Sequence, residues 1–222
     1  NLVSQWHGKN YKYVQLFGGL IILIFLSTYA AAQLNAGSKS MHVIFGLDYR
    51  LGAIIGGVIV LLYCFSGGIR ASIWTDAAQS FVMIVAMFLM VFFGIKEVGG
   101  VSIFIDELHK ISPDYMKWFP TNFSEFLLAP YMFIIGWFFS GVGVIGQPHV
   151  MVRFMTIDNT KNIPKTRIYY YTWYTLFYLF SILAAFVARL LIPETNNMDP
   201  ELALPTLAES LLPEFFVGVI LA

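Results

Sequence analysis

Apolar runs of about twenty residues, parted by small clusters of charge, set the rhythm of this chain. Lys12 and Lys39 enclose a run whose densest part is VQLFGGLIILIFLSTYAAAQL, and Arg50 and Arg70 enclose LGAIIGGVIVLLYCFSGGI. Asp76 and Lys96 enclose AAQSFVMIVAMFLMVFFGI, and Glu125 and Arg153 enclose FLLAPYMFIIGWFFSGVGVIGQPHVMV. Arg167 and Arg189 enclose IYYYTWYTLFYLFSILAAFVA, and a further apolar run opens near Phe215. A helix needs about 20 residues to cross a bilayer, and in lipid it satisfies its own backbone hydrogen bonds. The pattern therefore predicts spans over about 13–35, 50–69, 75–96, 127–149 and 167–191, with the start of a sixth at 214–222. The chain opens Asn1-Leu2-Val3 without an initiator Met and stops at Ala222 inside an apolar run, so an internal piece of a longer protein is expected.

One stretch between runs has a pattern of its own. In VSIFIDELHKI, residues 101–111, Ile103, Leu108 and Ile111 alternate with Asp106, Glu107 and Lys110 on a helical period. This predicts a short amphipathic helix on the external membrane surface. Trp118, Phe119 and the tyrosines at 169–171 suit interfacial belts.

Charge then orients the spans. The segment 150–168 holds Arg153, Lys161, Lys165 and Arg167 against Asp158, whereas 193–214 holds Glu194, Asp199, Glu201, Glu209 and Glu214 with no base. Lys and Arg near helix ends mark the cytoplasmic side, so 149–168 is predicted cytoplasmic and 193–213 external. Alternation makes the turn at Arg70 and the N-terminal Lys9 and Lys12 cytoplasmic, and the Lys39 and Lys96–Glu125 loops external. In this reading Arg153, Lys161 and Lys165 are determinants of topology.

Composition sharpens the class. Apolar residues make up 58% of the 222 and charged residues 12%, about half the charge of a soluble domain. A formal net charge of zero offers no basic face for nucleic acid. The lone Cys64 makes no intrachain disulfide, and His7, His42, His109 and His149 are scattered without metal-site spacing. HExxH and phosphate-loop patterns are absent, which disfavours enzymatic chemistry and resident cofactors. The fold class expected is an all-α polytopic membrane protein embedded in lipid.

Two local patterns stand out. In SGGIRASIWTDAAQSFVM, residues 66–83, Ser66-Gly67-Gly68 permits a tight turn and Asp76 follows in the first turn of the next helix. Asp76 there either complements the helix dipole, with Thr75 or Ser72 capping, or places a carboxylate at the mouth of a cation path. In GVGVIGQPHVMVRF, residues 141–154, Gly141, Gly143, Gly146 and Pro148 interrupt what should be a spanning helix. Such a cluster is either a kink with small residues packed closely on a neighbour, or a broken helix that forms a midplane binding site. Gln147 and His149 lean towards the second, because polar groups in a span usually face the interior or a cavity.

GGIRASIWTDAAQSFVM resembles a signature of the sodium/solute symporter family, and GQPHVMVRFM resembles a second one, most similar to the sodium/proline symporter branch. DPELALPTLAESLLPEFFVGVILA is also similar to bacterial members of that branch. The resemblance implies a leucine-transporter-like fold of two inverted five-helix repeats, of which these spans are core helices three to seven and the start of eight. It implies that the fourth span is the broken core helix six, losing regular hydrogen bonding between Ser140 and His149. It places substrate contacts on Gln147 and Pro148, with Ser140, Val144 and Gly146 lining the same site, and makes Asp76 a point of transient sodium release. The family's main sodium ligands fall on core helices one and eight. Proline symporters carry a Trp and a Tyr eight and four residues before the motif proline, where this chain has Ser140 and Val144. That difference implies a larger or differently shaped pocket. The function implied is sodium-coupled symport of a small polar solute, an amino acid or carboxylate-like compound, across the cytoplasmic membrane, with no cofactor beyond the coupling ion. The alternative is a non-transporting or sensory membrane domain that retains the symporter fold.

Overall fold

The computed structural model describes residues 5–6, 9–112, 114–117, 128–192 and 199–221. His7, Trp118, Phe119, Glu125, Glu194 and the first residue of the fourth predicted span lie outside the described residues. A two-residue ladder, β1 (Gln5–Trp6) with β2 (Lys9–Asn10), precedes an otherwise helical chain. The chain divides into two compact units, residues 1–62 and 63–222.

In the first unit, α1 (Lys12–Phe45) runs for 34 residues. It ends at Gly46, whose left-handed backbone (φ 64°) donates its N–H to the His42 carbonyl at 2.9 Å. The chain then turns back into α2 (Tyr49–Val98), with the Asp48 carboxylate accepting the Arg50 N–H at 2.9 Å as an N-cap. A Cβ built on Gly52 would lie 3.2 Å from the Ser38 Cα, and one on Gly57 within 3.8 Å of Leu34, so the two helices pack antiparallel. Lys39, read from sequence as part of a loop, lies inside α1. The polar run around it is accommodated because Ser38 and Ser40 return their hydroxyls to the Asn35 and Ala36 carbonyls. The reversal falls at Gly46 instead.

Straight, the 50 residues of α2 would measure about 75 Å, more than twice the hydrocarbon thickness. Gly68 divides it. Its φ of 55° and ψ of −144° belong to a region that side chains with a Cβ avoid. The break sits inside the Ser66-Gly67-Gly68 motif and leaves helical stretches over 49–67 and 69–98. The second stretch ends in a Schellman motif: Gly100 donates to Ile95 O (2.8 Å) and Gly99 to Lys96 O (3.1 Å), both glycines at positive φ.

Helix α6 (Ile163–Leu191) lies along that second stretch. The Trp173 indole donates to the Ser80 carbonyl at 3.2 Å, and Phe88 meets Phe180 edge-on at 5.7 Å. Gly94 faces Val187, where a Cβ would sit 2.2 Å from the valine Cγ1. These pairs advance together along both chains, so the two helices run parallel.

Their C-terminal ends carry a cap made of two short helices, α3 (Val101–Ile111) and α7 (Ala203–Leu211). Helices of 11 and 9 residues are marginal alone in water, so packing must hold them. Phe104, Leu108, Val187, Ala188 and Leu207 form one buried cluster, with Ile95, Val98 and Ile111 packed on its edge. The predicted stripe on α3 is corrected at one position. Phe104, Leu108 and Ile111 face inward, while Ile103 is 47% exposed, because the i, i+4, i+7 spacing sets a narrower face than the sequence reading took. On the outer side, Lys110 donates to Glu107 at 2.6 Å, and that bond holds the Lys110 pKa above its ordinary value. The segment read as an external loop at 193–213 contains α7, whose Leu204, Leu207, Ala208 and Leu211 share one face.

Outward surfaces are overwhelmingly apolar: Phe65, Trp74 and Phe138 are all exposed, as lipid-facing or partner-facing positions require. Among the described residues α1, α2 and α6 are each long and apolar enough to cross a membrane.

Gly94→Ala should lower the stability of the full-length protein by about 1–3 kcal/mol, because the β-branched, fully buried Val187 has no room to yield. A lowered melting temperature in detergent, largely restored in Gly94→Ala/Val187→Ala, checks the contact.

Candidate functional site

The interruption expected between Ser140 and His149 is present. Helix α4 (Ala129–Gly143) gives way to a single 3-10 turn at Val144–Gly146, and α5 (Pro148–Phe154) resumes at an angle of 61° to α4. Proline explains the location. Its ring disfavours helical geometry at the residue before it and its missing N–H suits a first helical position. Gln147 accordingly takes an extended conformation (φ −74°, ψ 122°), and its carbonyl accepts from Val150 (3.1 Å) and Met151 (3.0 Å) to begin α5.

Ser140 and Val144 lie one turn apart on the same face, in the last turn of α4 and at the first residue of the 3-10 turn. Gly146, Gln147 and Pro148 follow at the break itself. Ser140, Val144, Gly146 and Gln147 are exposed, and Pro148 and His149 half-buried. A Cβ built on Gly141, Gly143 or Gly146 meets nothing within 4 Å. The alternative of small residues serving close helix packing therefore finds no neighbour among the described residues.

Asp76 is not placed with this group. Its carboxylate forms an ion pair with Arg153, on the last turn of α5, about 8 Å along the helix axis from Pro148. Two expectations change here. The helical stretch resumes at Ile69, so Asp76 lies about two turns inside it rather than in the first turn. Thr75 does not cap: its hydroxyl donates back to the Ala71 (3.1 Å) and Ser72 (2.9 Å) carbonyls. Arg153, read only as a topology determinant, is also the counter-ion of Asp76. Its reach was the missing signal, since two opposite charges at the same predicted membrane face are candidates for pairing.

The pair is partly open, with the Asp76 side chain 37% and the Arg153 side chain 49% exposed. Ser80 donates its hydroxyl to the Asp76 carbonyl at 2.6 Å, and the Ser80 carbonyl receives the Trp173 indole N–H. Hydrogen bonds from the serine and the tryptophan thus fix the helix just beyond the carboxylate. A cavity of about 170 Å³ lies elsewhere, between α2 and the opening of α8 (Glu214–Leu221), lined by Phe81, Val85, Leu89, Leu212 and Phe215. Its lining is apolar and includes none of the predicted site residues, so it lacks the polar anchors that a solute site needs.

Because the ion pair is half-exposed, Arg153→Gln should change protein stability by no more than about 1 kcal/mol. Thermal melting of the purified full-length protein at low and moderate salt measures this.

A profile of the Sodium:solute symporter family matches residues 3–222. The Sodium/proline symporter 2 of Staphylococcus saprophyticus subsp. saprophyticus is 31% identical over 213 residues, covering 95% of this chain and 40% of that protein. The Sodium/proline symporter of Staphylococcus aureus is 31% identical over 221 residues, covering 99% of this chain and 42% of that protein. The chain thus spans about two-fifths of the length of the curated relatives it matches. No solved structure matches it. With a match over nearly its whole length, and with long apolar helices to fit, this polytopic all-α chain belongs to the sodium:solute symporter family.

Proposed function

We propose that this chain is part of a secondary active symporter in which sodium, moving inward down its gradient, carries a small polar solute across the cytoplasmic membrane. The observation that carries the reading is the helix break at residues 144–147, inside an apolar run, in a chain of this family. Breaks of this kind expose backbone dipoles near the bilayer midplane, and rocking of one helix bundle against another around such a fixed site gives alternating access. In this scheme Gln147 hydrogen-bonds the solute, Gly146 and Pro148 hold the backbone open, and Ser140 and Val144 form one wall. Asp76 lies on the route by which sodium leaves to the cytoplasm. The parallel run of the 69–98 stretch and α6, with α4–α5 returning between them, supports 149–168 and 193–213 on opposite faces. The bases of 150–168 and the acids of 193–214 make the first cytoplasmic and the second external, and alternation makes the N-terminal end cytoplasmic.

The named relatives are proline symporters. For this chain we propose a small polar solute other than proline, an amino acid or carboxylate-like compound. A serine and a valine make a less filled wall than the aromatic residues of the proline branch.

Initial uptake rates of labelled amino acids and carboxylates, measured with the full-length protein in liposomes, test the proposal. An inward sodium gradient should raise uptake of at least one solute severalfold, and uptake indifferent to sodium would sink the reading. Gln147→Ala should raise the half-saturating solute concentration about tenfold, the equivalent of one lost hydrogen bond of roughly 1.4 kcal/mol. Expression at the unsubstituted level is the control.

A further inference from the structure

We propose that Arg153 is a tethered counter-ion which occupies Asp76 until sodium displaces it, so that a cation at Asp76 releases the C-terminal half of the broken span. The inference rests on the symport reading and adds the means by which cation occupancy reaches the solute site.

The two partners belong to different bodies. Asp76 sits on the 69–98 stretch of α2, anchored to α6 one turn away through Ser80 and Trp173. Arg153 sits at the far end of α5, seven residues that join α4 only through the 3-10 turn and the extended Gln147. The ion pair therefore ties a short, hinged helix to a fixed one.

Sodium and a guanidinium compete for the same carboxylate oxygens. With both in place, two cations would share one carboxylate at a few ångströms, and their repulsion disfavours that state. A fully buried pair would be hard to open, whereas both side chains here keep exposed surface beyond the covered Asp76 oxygen, so the contact is open to exchange. Once released, Arg153 still lies in the last turn of α5, where the helix dipole favours a cation. Hinge, competing ligand and alternative partner are thus all present within one short segment.

The readout is the sodium concentration that gives half-maximal solute uptake by the full-length protein in liposomes. Apparent affinity is the intrinsic affinity scaled by the fraction of time the carboxylate is unpaired, so Arg153→Gln should lower the half-saturating sodium about threefold to fivefold. Arg153→Lys, which keeps the charge, should lower it less. Asp76→Asn should raise it, and Asp76→Asn/Arg153→Gln should match Asp76→Asn, because Arg153 acts only through Asp76. Spin labels at Ser72 and Met155 should move apart in sodium relative to choline, and should stay fixed in Asp76→Asn. An Arg153→Gln protein with normal expression and unchanged sodium dependence would overturn the proposal and leave symport standing. Sodium-independent uptake by the unsubstituted protein would instead remove the symport reading itself. If Arg153→Gln fails to reach the membrane, the exchange Asp76→Arg/Arg153→Asp decides: recovered expression with a lost sodium response supports the pairing, and no recovery refutes it.

Discussion

A backbone amide or carbonyl in hydrocarbon has no water to bond, and each one left unpaired costs several kcal/mol. Under that constraint a spanning chain stays helical, as α1, the two stretches of α2, and α6 do. The two interruptions differ in kind. Gly68 is a conformational break, a single residue in a region closed to other side chains, flanked by helix on both sides. The break at 144–147 is a chemical one, set by a proline that lacks a donor and forces its predecessor out of helix. The first makes a corner. The second makes a short non-helical link and a seven-residue helix set at 61° to the one before it.

The ends of the long helices are held by different means. The Phe104–Leu108–Leu207 cluster couples α3 and α7 to the C-terminal turns of α6, so two helices too short to persist alone become one cap. Gly94 contributes by its lack of a side chain, letting Val187 approach the backbone of α2. At the opposite end of the 69–98 stretch the connection is electrostatic and part-exposed, through Asp76 and Arg153. One end is thus held by apolar packing and the other by a single ionic contact.

Much of this was legible in the sequence. The apolar runs gave the long helices, Ser66-Gly67-Gly68 located the break in α2, and Gln147-Pro148 located the break between α4 and α5. These signals are local, since glycine and proline act on their own backbone. What escaped depends on neighbours. Lys39 looked like a loop because its flanking serines are polar, yet they bond to their own helix. The inward face of α3 was read one residue off because Ile103 and Phe104 are equally apolar, and only α6 and α7 decide between them. The pairing of Asp76 with Arg153 joins residues far apart in the chain, and no periodicity encodes it.

The parallel register of α2 and α6 has a further consequence, a matter of parity. Two membrane-crossing helices that point the same way must be joined by an odd number of crossings. Helix α3 stays at the end where the 69–98 stretch finishes, packed on the closing turns of α6. The return journey therefore falls to α4 and α5 together, and Arg153 arrives at the end where that stretch began. The 61° bend falls inside that return, between the end of the 69–98 stretch and the start of α6.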